Sequence, residues 1–93
     1  MRLIPGFHLR SVGTEYLAVP YGAAAARVNG LLMLNETGAF LLRALETDAE
    51  REALLDRLRE EYDAPEELLR TDLDGFLAQM RELGLLEEAG HEA

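Results

Sequence analysis

The side chains in this sequence that could carry chemistry are few: His8, His91 and the acid pairs Glu60-Glu61, Glu66-Glu67 and Asp72/Asp74. Histidine titrates near neutral pH without help, so His8 and His91 are the first candidates for a general base or a metal ligand. They stand at opposite ends of the chain, and neither has a second histidine at helical spacing. His8 therefore reads as a half-exposed strand residue and His91 as part of a polar tail. Paired carboxylates can serve acid–base catalysis or hold a divalent cation, but Arg57, Arg59 and Arg70 lie within helical reach of several of these acids. That is the pattern of a solvated, ion-paired helix face, where each pair contributes about 0.3–0.5 kcal/mol. The chain has no Cys, no glycine-rich phosphate loop and no Ser-His-Asp order. Thiolate metal sites, nucleotide grips and nucleophilic triads thus lack their parts. The expectation is a non-enzyme with no catalytic residue, no metal and no cofactor.

What must position any binding residues is one small domain. Ninety-three residues, 48% of them hydrophobic, can fill a single core, and without cysteine packing must hold it together. Residues 1–87 are expected to form that domain and residues 88–93 a polar, disordered tail. Eighteen acids oppose nine bases, all arginine, for a net charge of -9. The imbalance is uneven: Met1 to Leu45 carries net +2, and Glu46 to Ala93 carries net -11. Such a chain repels nucleic acid and anionic lipid. The opening residues, interrupted by Pro5 and Gly6, are too short for a signal-peptide core, and no run approaches the ~20 apolar residues of a membrane span. A cytoplasmic protein with no membrane or nucleic-acid partner is expected.

Strand patterns occupy Phe7 to Pro20, with Gly13 at a hairpin turn, and Asn29-Gly30 predicts a second, type I′ hairpin turn ahead of the strand Leu31, Leu32, Met33, Leu34. Ala23 to Ala26 is left open between linker, helix and strand. Three helices follow. Asn35 caps the first, and Thr47 with Glu50 forms a capping box for the second, whose apolar face is Leu54, Leu55, Leu58 and Tyr62. Pro65 opens the third, whose stripe runs through Leu69, Leu73, Phe76, Leu77, Met80 and Leu83 to Gly84. An aromatic and a methionine in such a stripe are usually core. The strand differs, because four consecutive large apolar residues project to both faces of any sheet they join. The whole predicts an α+β fold, a winged helix-turn-helix with an N-terminal three-stranded antiparallel sheet followed by a three-helix bundle.

The segments LLMLNETGAFLLRALE and LLDRLREEYDAPEELLRTDLDGFLAQMRELGLLEE resemble the PqqD family. The resemblance rests on Leu34-Asn35-Glu36-Thr37-Gly38, Tyr62-Asp63, Asp72 with Phe76 and Leu77, and Gly84-Leu85-Leu86, in that order. It covers Phe7 to Glu87. It implies a RiPP recognition element, a winged-helix adaptor that binds the leader segment of a ribosomally made precursor peptide and presents it to a modifying enzyme, of the radical SAM type here. The resemblance further implies that the leader adds antiparallel to the third strand, which is recognition by β-augmentation. Carried over by position, the peptide-binding residues would be Leu31, Leu32, Met33 and Leu34 on the strand, with Leu69, Leu73, Phe76, Leu77 and Met80 as the groove wall. Asn35, Thr37 and Gly38 read as structural.

Two other functions compete. A winged-helix DNA-binding regulator shares the architecture, but Glu66 to Glu82, where its recognition helix would fall, carries five acids against two arginines. A DNA reader needs the opposite sign. A module that forms a homodimer through its exposed strand is the other alternative, since an open edge can pair with its own copy.

Overall fold

The computed structural model describes residues 1–88, so the expected disorder of the tail and the placement of His91 lie outside the described residues. The chain runs β1 (Arg2–Leu3), β2 (Phe7–Val12), β3 (Glu15–Pro20), α1 (Gly22–Ala25), β4 (Leu32–Leu34), α2 (Glu36–Ala44), α3 (Arg51–Glu61), α4 (Glu66–Glu82) and β5 (Leu86–Glu87). Strands β2, β3 and β4 form the three-stranded antiparallel sheet, in that order, and the three longer helices follow it. This is the α+β arrangement that the hydrophobic pattern predicts.

Two local readings need correction. Asn29-Gly30 does not turn a hairpin: Gly30 has φ +112°, but Asn29 lacks the positive φ that a type I′ turn requires, and no strand immediately precedes it. The Ala23 to Ala26 region instead supplies the short helix α1, and β4 pairs back to β3 across it, with Tyr16 opposite Leu34 and Ala18 opposite Leu32. The capping box at Thr47 and Glu50 does not form either, since Glu50 itself is the N-cap of α3 and its side chain caps nothing. At the end of the domain, Glu87 belongs to β5. It lies opposite Arg2, and Leu86 opposite Leu3, in a two-stranded ribbon that joins the chain ends. Two-residue strands carry no periodicity, which is why the sequence pattern does not reveal them.

The core lies between the sheet and the helices. Leu41 and Leu45 near the end of α2, Leu54, Leu55 and Leu58 of α3, and Leu73, Leu77 and Met80 of α4 are fully buried there, joined by Leu85. Gly84, at φ +74°, stops α4 in a conformation that side chains rarely adopt, and it turns Leu85 back into this core. Phe40 is half-buried and meets the edge of the Tyr62 ring at 5.7 Å, with the Arg57 guanidinium 5.9 Å from its centre.

Arginine forks tie α3 to α4. Arg51 grips Asp74 through two hydrogen bonds of 2.8 and 3.0 Å, and Arg59 grips Glu66, which also accepts from Arg70 at 3.0 Å. Of the paired acids, Glu66 and Asp74 are therefore neutralised by neighbouring arginines on the surface. Hydrogen bonds from Arg59, reinforced by the charges of Arg59 and Arg70, hold the Glu66 carboxyl down to about 2. A depressed carboxylate stabilises the fold above its ordinary value near 4.5, and that contribution is lost as pH falls toward 2. Between those limits the melting temperature of the native protein should fall more steeply than that of Glu66→Gln, as followed by scanning calorimetry. Equal slopes would show that the exposed fork contributes nothing to stability.

Candidate functional site

The third strand of the sheet is short and lies at its edge. Strand β4 pairs with β3 on one side only, and no described residue pairs with its other side. Its side chains alternate as a pleated strand requires. Leu32 and Leu34 enter the core, whereas Leu31, just outside the strand, and Met33 are each 54% exposed.

The turn into α2 holds this strand in place. The Asn35 side chain accepts a 2.7 Å hydrogen bond from the Gly38 N–H, satisfying one of the unpaired donors of the first helical turn. A Cβ on Gly38 would stand 3.1 Å from that Asn35 oxygen and 3.4 Å from the Leu34 Cβ. Asn35 and Gly38 thus close-pack the strand end against the helix start.

Opposite the strand stands α4, with an open cleft of about 300 Å³ between them. Met33, Leu34 and Asn35 line the cleft from the strand side, and Thr71, Asp72, Gly75, Phe76 and Gln79 from the helix side. A strand edge with unpaired backbone groups, set beside a cleft, can accept an extended chain: the edge supplies main-chain hydrogen bonds and the cleft receives alternate side chains. A separate cavity of about 240 Å³, walled by Leu3, Ile4, Pro5, Phe7, Tyr21 and Leu42, shares no residue with it.

The structure brings together only part of the set expected from the sequence. Met33, Leu34 and Phe76 line the cleft, Leu31 lies exposed just before β4, and Leu32 packs inward. Leu69, Leu73, Leu77 and Met80 are at most 3% exposed and fill the interior. Phe76, at 5%, belongs to both the core and the cleft wall. Apolar periodicity finds the stripe that packs inward, and the cleft is walled by the neighbouring row, Asp72, Gly75 and Gln79, which that signal skips. One clue to the row was present: a glycine in the middle of a 17-residue helix, where it costs about 1 kcal/mol relative to alanine.

Among the described residues no three His, Cys, Asp or Glu side chains come together as metal ligands, and no helix is long and apolar enough to cross a membrane.

The family model of Coenzyme PQQ synthesis protein D (PqqD) matches residues 11–86. The solved structure of TbiB1 in complex with the TbiA(beta) leader peptide has the same fold, with a TM-score of 0.66 and 19% sequence identity over 97% of this chain and 99% of that one. No curated protein matches.

Proposed function

This chain belongs to the PqqD family, and on that premise we propose that it is a non-catalytic peptide-binding adaptor: it takes up the leader segment of a ribosomally made precursor as an added strand along β4. The observation that carries this reading is the coincidence of an unpaired strand edge with a cleft against α4. The structural neighbour TbiB1, itself in complex with a leader peptide, supports it. Backbone pairing with β4 would supply affinity that tolerates many sequences, and the cleft would supply selection. The partner that receives the presented peptide is a modifying enzyme, most simply of the radical SAM type.

The DNA-binding alternative is disfavoured by charge. Helix α4 carries Glu66, Glu67, Asp72, Asp74 and Glu82 against Arg70 and Arg81, which offers a phosphate backbone net repulsion. Calorimetric titration with the leader of a precursor encoded beside its gene tests the adaptor reading. One-to-one binding that is lost when the leader is removed from the precursor is expected. Absence of binding, or a concentration-dependent dimer that the leader fails to dissociate, would overturn it in favour of a strand-mediated assembly module.

A further inference from the structure

Among the described residues, the one charged side chain lining the cleft is Asp72, and its surroundings set it apart from the other described acids. Asp72 and Glu88 are the half-buried acids among the described residues, and the others are exposed. Glu88 meets Arg81 at 3.1 Å, whereas the Asp72 side chain forms no ion pair and no hydrogen bond with any described residue. Burying part of a carboxylate without a partner costs free energy that a cation arriving with a ligand would recover. The residues four positions to either side of Asp72 on α4 are apolar. Leu68, four residues before it, is 50% exposed, and Phe76, four residues after it, walls the cleft. Steps of four residues advance about 6 Å along a helix, close to the roughly 6.6 Å between alternate residues of a strand.

Resting on the peptide-adaptor reading, we propose that Asp72 selects peptides by charge: the bound segment carries Lys or Arg opposite Asp72, with apolar residues two positions to either side that meet Leu68 and Phe76. The face it turns to α4 then reads apolar, basic, apolar at alternate positions. The intervening residues face away from the helix and are free to vary. An acidic residue at the central position would set two carboxylates together in a half-buried cleft, so it is rejected.

A display library of random 12-residue peptides, selected in parallel on the native protein, Asp72→Asn and Asp72→Lys, tests this. Native selection should enrich Lys or Arg at one register position flanked by apolar residues two places away. Asp72→Asn should lose the basic preference while keeping the apolar pair, and Asp72→Lys should exchange it for Asp or Glu. A peptide from the native pool should bind Asp72→Asn about tenfold more weakly. Peptides that compete for the cleft yet show no basic preference, or the same preference on all three proteins, would overturn charge selection alone. If no selected peptide is displaced by filling the cleft at Gly75, the adaptor reading itself fails.

Discussion

Gly75→Trp is expected to weaken leader binding by about 100-fold or more while leaving the domain folded, an effect the size of an interface anchor. Gly75 lies in the middle of α4, and nothing stands within 4 Å of the position its Cβ would take. The fold therefore gains no close contact from the missing side chain, and the helix forgoes about 1 kcal/mol relative to alanine. The free space belongs to the cleft, where Gly75 leaves room for an incoming backbone. Gly75→Ala should accordingly raise stability by up to about 1 kcal/mol, with a smaller loss of binding. Fluorescence anisotropy with a labelled leader, run beside thermal melts, separates the two effects. Unaltered binding by a folded Gly75→Trp protein would show that the peptide does not pass through this cleft.

The second large effect is on folding. Leu73→Ala and Met80→Ala should each destabilise the domain by about 2–5 kcal/mol, because both residues are 0% exposed and their truncation leaves a cavity in the packed interior. That is a large share of the roughly 5–15 kcal/mol that holds a small domain together. Once folded, both variants should bind the leader with nearly native affinity. Phe76→Ala should show both losses, since its ring touches the core and the cleft. Urea denaturation followed by circular dichroism gives the stability term. Native stability in Leu73→Ala together with lost binding would mean that α4 is rotated, with this stripe facing the peptide.

These two predictions also mark what the sequence makes legible. The helices and the third strand follow from apolar spacing, and the stripe Leu69, Leu73, Leu77, Met80 is found because a 3.6-residue period reports whatever packs inward. The same period is silent about the adjacent row of Asp72, Gly75 and Gln79, whose polar or small side chains look like any solvated face. The run from Leu31 to Leu34 signals an exposed apolar surface, and Leu31 and Met33 are indeed exposed, but which residues turn outward depends on register with β3. The Asn29-Gly30 signal misleads because turn chemistry is local, whereas the partner of β4 lies on the far side of α1. The ribbon of β1 and β5 depends on contacts between residues some eighty positions apart, beyond the reach of any local pattern.

If the leader extends the sheet at β4, amide hydrogen exchange measured by nuclear magnetic resonance with and without bound leader reports it at the strand itself. New protection is expected at amides within Leu31 to Leu34, accompanied by shifts along Asp72 to Gln79, with the amides of β2 unchanged. Protection appearing instead along Phe7–Val12, the opposite edge of the sheet, with β4 unaltered, would contradict it.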